Sequence, residues 1–326
     1  MSITVIPYTG AYEKKWDAFV QSARNGTIFH TRKFLSYHPV GRFTDNSLLL
    51  MDGEKVLGVL SAAKKEEGGK KALVAHPGAS YGGLVIDADA SVQETGAMID
   101  AVLEYARTEK FASVSMLRLP PASLQARYSE DQMYWLFHRG FSMTRCEMDG
   151  AIDVSCLAEE DIMESLTGKC RNMVRQAERA GITVKLTKDF STFWPILEGV
   201  LAGRHGTKPT HTLAEIQSLQ TLLPDGFRLL AAYEDKKMVG GIVLVTIHSQ
   251  ALYTLYMAQE YTSQQKHPMH LLLTEAIRLA IKEKRRVLHL GVSTEDGGKK
   301  INEGLFFFKE SFGCRPVRRE SFEITL

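Results

Sequence analysis

Hydrophobic and polar positions alternate with two periods along this chain, and the switches between them mark its elements. Ser2 to Pro7 has the period of two expected of a strand, whereas Tyr12, Trp16, Phe19 and Val20 recur at helical spacing across Ala11 to Ala23. Ser47 to Met51 and Val56 to Ala63 read as a hairpin around Asp52-Gly53, a favoured tight-turn dipeptide. Lys70 to Ala75 and Gly83 to Ile86 predict two strands flanking the loop His76-Pro-Gly-Ala-Ser-Tyr-Gly-Gly. Ser91 offers an N-cap to a helix through Glu109, with Met98, Val102 and Tyr105 on one stripe. A strand at Ala112 to Leu117 and a short helix at Gln132 to Arg139, stopped by Gly140, complete the first half.

The second half repeats this plan without visible identity. One long helix is expected over Glu159 to Ala180, with Ile162, Leu166, Met173, Val174 and Ala177 inward and Gly181 as its stop. Helices follow at Phe190 to His205 and Leu213 to Leu222, the latter with Thr212 and Glu215 in reciprocal capping positions. Three strands (Phe227 to Glu234, Met238 to His248, Ala251 to Ala258), a helix (Met269 to Lys284) and a strand (Val287 to Val292) come next. The boundary between halves is expected at Gly150, read as a turn after a strand at Ser142 to Met148.

Length agrees with this division, because 326 residues exceed what one hydrophobic core usually holds. A net charge of +2 gives no global pull toward nucleic acid, so DNA is not an expected partner and only local clusters of Lys and Arg count. The first residues lack the charged and apolar regions of a signal peptide, and no apolar run reaches the ~20 residues of a membrane span. A cytoplasmic location is expected, with Cys146, Cys156, Cys170 and Cys314 as free thiols at spacings that hold no metal.

The end of the chain carries the most chemistry. An apolar strand, Val287 to Val292, enters a polar Gly-rich loop, Ser293 to Gly304, and then Phe306-Phe307-Phe308-Lys309 before a turn at Gly313. This closing strand, loop and helix resembles the GNAT acyltransferase superfamily in its two-lobed Fem-like branch. Lys169-Cys-Arg-Asn-Met-Val-Arg-Gln-Ala-Glu-Arg-Ala-Gly181 is similar to that branch's basic helix, and Ala79-Ser-Tyr-Gly-Gly83 to its small-residue loop. Arg204-His-Gly-Thr-Lys-Pro-Thr-His-Thr212 resembles a segment of its polysaccharide-cluster members.

The resemblance implies an α/β (α+β) fold of two GNAT-like lobes, each a mixed, mostly antiparallel sheet flanked by helices. It places the first lobe at residues 1–150 and the second, with the acyl-donor site, at 151–319. The last strand, residues 320–326, returns to the first lobe. It further implies transfer of an acyl group to an amine, with acyl-CoA (acetyl-CoA) as donor and an amino sugar or nucleotide sugar of a surface polysaccharide as acceptor. Two alternatives stay open: a Fem-type peptidoglycan aminoacyltransferase drawing on aminoacyl-tRNA, and a non-catalytic binding protein with a decayed site. No inserted coiled-coil hairpin interrupts Leu166 to Val184, which counts against tRNA.

Donor pyrophosphate would sit at a helix N-terminus, here Gln264-Gln265-Lys266-His267-Pro268-Met269-His270. Pro268 and His270 stand where the superfamily has glycines, which restricts the approach of a phosphate to the backbone. The resemblance of Phe308-Lys309 to a Phe-Lys pair of the Fem-like aminoacyltransferases implies that Lys309 stabilises the charged intermediate; a solvated lysine on an amphipathic turn is the plainer reading. His205 and His211 are candidate proton acceptors, and Tyr256 a candidate donor to the leaving group, although a strand aromatic equally fits a core. Ser80, Tyr81, Arg204, Ser293, Asn302 and Phe308 are expected to bind acceptor, with the loops at Ser80-Tyr81 and Ser293 to Asn302 lining a cleft; Ser and Asn are also ordinary loop residues. Lys169, Arg171, Arg175 and Arg179 recur at helical spacing and suit a diphosphate or tRNA, or simply a solvated face; no aromatic residues interleave them for base stacking.

Overall fold

In the computed structural model, residues 3–326 are described, with the side chains of Glu67, Arg204 and His205 left aside. The chain forms two compact units, residues 1–148, 295–300 and 317–326 in the first, and 149–294 and 301–316 in the second.

The first unit contains β1 (Thr4–Pro7), α1 (Glu13–Ser22), α2 (Arg32–Leu35), β2 (Thr44–Asp45), β3 (Leu48–Asp52), β4 (Lys55–Leu60), β5 (Ala62–Glu67), β6 (Lys70–Ala75), β7 (Leu84–Ile86), α3 (Val92–Thr108), β8 (Ser113–Met116), α4 (Asp131–His138) and the first part of β9 (Ser142–Asp153). One sheet has the order β1-β3-β4-β7. The expected hairpin at Asp52-Gly53 joins β3 to β4, but β4 stops at Leu60 and the chain enters a second sheet as β5. Helix α3 starts in a capping box between Ser91 and Glu94 and buries Met98, Ile99, Val102 and Leu103. Its partners include Leu48, Leu50 and Leu73 from the strands.

The second unit continues with α5 (Ile162–Ser165), α6 (Gly168–Arg179), β10 (Ile182–Thr187), α7 (Phe190–His205), α8 (Leu213–Leu222), β11 (Phe227–Glu234), β12 (Lys237–His248), β13 (Ala251–Gln259), α9 (Pro268–Lys282) and β14 (Val287–Val292). A small ribbon, β15 (Thr294–Glu295) with β16 (Lys300–Ile301), precedes α10 (Glu303–Glu310) and the last strand, β17 (Arg315–Thr325). Strand order is β10-β11-β12-β13-β14-β9, antiparallel throughout except for β13 and β14. Helices α6 and α9 pack on one face, where Val174, Ala177, Leu272, Leu273 and Ile277 meet Leu230, Ile242, Leu244, Leu252 and Leu288. Helix α7 covers the other face, with Phe193 against Gly241.

Several expectations need correction. The long helix over Glu159 to Ala180 is two helices, because Leu166 is extended and Thr167 starts α6 afresh by accepting a bond from the Cys170 N–H. Strand β10 lies between Gly181 and Phe190, where the sequence reading names no element. Gly150 is no turn: β9 runs through it, paired with Gly291. Its lack of a side chain serves packing, since a Cβ there would lie 2.5 Å from Cys314 Sγ and 3.5 Å from Lys309 Cδ. Residues 295–300 belong with the first unit, where Gly298 sits so close to Cys146 that a Cβ would fall 2.0 Å from its carbonyl oxygen. Residues Phe322 to Thr325 pair with Met116 to Ser113 of β8, also in the first unit.

Candidate active site

The second unit's sheet opens between β13 and β14. Only three parallel pairs join them: Ala251 with Val287, Leu252 with Leu288 and Tyr253 with His289. Beyond these, Thr254 to Gln259 of β13 and Leu290 to Val292 of β14 have no partner in each other. Two features end the ladder. On β14 the register against β9 slips between His289 and Gly291, and Gly291 takes φ +69°, a conformation that favours glycine. On β13 the register against β12 slips between Thr254 and Tyr256, leaving Leu255 as an extra residue. The bulge re-aims the strand: Thr254 opposes Leu244, on the α9 face, whereas Tyr256 turns to the α7 face and meets Trp194 edge-on at 5.6 Å.

Lys309 sits at this opening. Helix α10 is capped by Asn302, whose side chain accepts the Leu305 N–H, and this orientation carries Lys309 inward until it is 1% exposed. Its ammonium donates to the Gly291 and Val292 carbonyls at 2.7 and 3.0 Å and to Ser293 Oγ at 2.8 Å. Three acceptors suffice for the three protons of an ammonium. The plain reading of a solvated lysine is thus overturned. Ser293 is buried beside it, and Asn302 is bonded to Ser293 through its backbone at 2.9 Å. The Cys314 thiol nearby is pushed up to about 11 by burial, against the pull of the Lys309 charge.

On the α7 face, Tyr256 Oη lies 2.8 Å from His211 Nδ1 and accepts the His211 backbone N–H at 3.3 Å. Burial raises the phenol above its ordinary value, hydrogen bonds from His211 and Thr210 working the other way. A raised phenol keeps its proton at neutral pH and can deliver it. Among the described residues, Thr254 Oγ1 at the opening and Trp194 Nε1 in the ring that packs on Tyr256, 3% and 1% exposed as residues, are buried with no hydrogen-bond partner.

The expected phosphate turn is differently furnished. Pro268 has no N–H, the Met269 N–H is taken by Gln259 Oε1 at 2.9 Å, and the His270 N–H by the His267 carbonyl at 3.0 Å. His267 occupies the left-handed region, Met269 is a core side chain, and Lys266 is paired with Glu234. Gln264 and Gln265 are exposed. His270 packs against Phe308 and Phe312, and its pKa is pushed down to about 4, chiefly by burial and then by His267 and Lys169. Burial thus works against the charged form that a phosphate would favour.

Other expected residues fall elsewhere. Ser80 and Tyr81 belong to the first unit, where Tyr81 is 0% exposed and packs on Phe29, a core position instead of a ligand-facing one. Lys169, Arg175 and Arg179 are exposed on α6, and Arg171 bonds to the Leu166 carbonyl. The side chains of Arg204 and His205 lie outside the described residues. Among the described residues no group of three or more metal-ligating side chains occurs, and no helix is long and apolar enough to cross a membrane. Trp194 and Thr254 were invisible in the sequence, since a missing partner is a three-dimensional fact.

Residues 165–299 match the acetyltransferase (GNAT) domain family. The fold is similar to FemX over 99% of this chain and 97% of that one (TM-score 0.75, 15% identity). It is also similar to L-PGS from Bacillus licheniformis over 95% and 90% (0.57, 11%). A tandem GNAT protein from the clavulanic acid biosynthesis pathway matches over 99% and 98% (0.53, 11%). Comparison with curated protein sequences finds no match. Residues 165–299 thus carry a GNAT domain, and the whole chain has a fold similar to that of FemX.

Proposed function

We propose that this protein is an N-acyltransferase that holds its acyl donor in the opening between β13 and β14 and transfers the acyl group to an amine. The observation that carries this reading is the ladder that stops after three pairs although β13 runs on to Gln259. A strand edge left unpaired inside a unit offers backbone donors and acceptors to an extended ligand. The match of residues 165–299 to the GNAT domain family supports the same chemistry.

Tyr256 and His211 supply the protons. With Nδ1–H donating to Tyr256 Oη, the His211 Nε2 lone pair takes a proton from the attacking ammonium. Tyr256 gives its own proton to the departing group and recovers one from Nδ1, 2.8 Å away. Lys309, its ammonium engaged with the end of β14, acts by positioning that strand instead of meeting the oxyanion. The acceptor class we favour is an amine of a cell-envelope or surface polysaccharide precursor, on the strength of the sequence resemblance.

Two donors are in play. Acetyl-CoA is the superfamily's usual choice. The occupied N–H groups at the start of α9 favour the second, an aminoacyl group carried by tRNA, which needs no pyrophosphate anchor there. Thermal unfolding with each in excess separates them: a ligand at about 100 times its Kd adds roughly 2.7 kcal/mol, about 2 °C in a chain of this length. A rise with acetyl-CoA establishes the CoA reading. A rise with aminoacyl-tRNA alone establishes the other, and no rise with either returns the protein to a non-catalytic role.

A further inference from the structure

Each of the three tryptophans carries one indole N–H, a donor with no second function. In the first unit both are used: Trp16 donates to the His30 carbonyl at 2.8 Å and Trp135 to the Val92 carbonyl at 2.6 Å. Trp194, in the second unit, is as deeply buried as Trp16, yet its Nε1 has no acceptor among the described residues. A buried donor left without a partner is uncommon in folded proteins and calls for a ligand or a water to complete it. The place is informative as well. Trp194 meets Tyr256 edge-on, and Tyr256 lies on the part of β13 that has left β14, turned to the α7 face by the bulge at Leu255.

We infer that the Trp194 indole N–H is a catalytic hydrogen-bond donor to the acyl carbonyl oxygen of the bound donor, an inference that rests on the acyl-transfer reading above. The amine nitrogen, relieved of one proton by His211, adds to the carbonyl carbon and gives up its second excess proton to solvent, while the π pair moves onto oxygen, where Trp194 holds it. The pair then returns, the bond to the leaving thiol sulfur or ribose oxygen breaks, and that atom takes the Tyr256 proton. A donor in a buried setting strengthens as the oxygen becomes negative. The same role explains why burial without a partner is tolerated in the free protein.

The test uses the whole chain with its indole nitrogens labelled with 15N. The N–H spectrum has one signal for each tryptophan, and Trp194→Phe identifies its own by loss. The probes are acetyl-CoA and an alanyl-tRNA made stable by an amide link. With whichever binds, the Trp194 signal moves downfield and its exchange with solvent slows, while those of Trp16 and Trp135 stay in place. With the turnover substrate, Trp194→Phe lowers kcat by about 10²–10³-fold with little change in KM. Binding of a probe, registered at the backbone signals of Leu255 and Tyr256, with a stationary Trp194 signal overturns the role while leaving the acyl-transfer reading intact. Failure of both probes to bind overturns that reading and this inference with it.

Stability supplies an independent arm. Removing a donor that has no partner offsets the smaller ring, so Trp194→Phe leaves the unfolding midpoint nearly where it is, whereas Trp16→Phe lowers it. A fall at Trp194 as large as at Trp16 means an internal partner exists and ends the proposal.

Discussion

Among the described residues, each unit contains a parallel strand junction joined by three residue pairs. In the first, Ala72, Leu73 and Val74 of β6 meet Ser113, Val114 and Ser115 of β8, and β6 ends one residue later. In the second, β13 continues for six residues past its last partner. The same short contact is therefore a finished edge in one unit and an opening in the other. What differs is the length of strand that runs on, the bulge that turns it and the lysine that holds its neighbour. The tryptophans follow suit, with both indole donors satisfied in the first unit and the one in the second waiting.

The largest test of this contrast is Lys309→Met. It leaves the buried Gly291 carbonyl and the part-buried Val292 carbonyl without their donor, at about 1–3 kcal/mol for each orphaned acceptor. We expect a loss of roughly 3–5 kcal/mol and faster hydrogen exchange in β14 and the open part of β13, with the first unit's β6–β8 junction unchanged. Equal acceleration in both units would break the contrast.

Acid sharpens it from the other side. His30, 0% exposed in the first unit, has its pKa pushed down from 6.5 to about 4 by burial. The unfolded chain binds that proton near 6.5 and the folded chain only near 4, so stability falls as pH drops through this window. For His30 this amounts to roughly 3 kcal/mol at 1.36 per unit. His76, in the same unit, is depressed to about 4 as well, and the second unit buries His270, His211 and, beside Asp149, His289. Acidification from pH 7 to 4 should therefore destabilise the first unit, followed by hydrogen exchange, and His30→Gln should reduce the slope there. An unchanged slope in the His30→Gln protein would count against this.

Smaller effects probe the packing behind the opening. Gly150→Ala drives a methyl against Cys314 Sγ and should cost about 1–3 kcal/mol in denaturant titration. Thr167→Ala removes the cap of α6 and should cost about 1 kcal/mol, with no effect on donor binding.

What the sequence made legible was mostly local. Ser91 as an N-cap, Thr212 with Glu215, and Asp52-Gly53 act within a few residues, and each forms as its chemistry dictates. Where a residue answers to a distant partner, local reading misleads. Gly150 looked like a turn because its reason, Cys314, is far away along the chain. Lys309 was legible as important through its Phe-Lys setting, yet its burial and its grip on β14 depend on tertiary packing. The break at Thr167 was missed although its capping signal was present, since the apolar stripe spans it.

Strand β8 is flanked by β6 on one side and β17 on the other. During synthesis, residues 113–116 leave the ribosome about two hundred residues ahead of the segment that closes their edge. The second unit has its sheet strands, though not yet α10, before the first can be finished. The first unit to be made is thus the last to be completed, and until then the nascent chain carries an open sheet edge that invites mispairing or a chaperone.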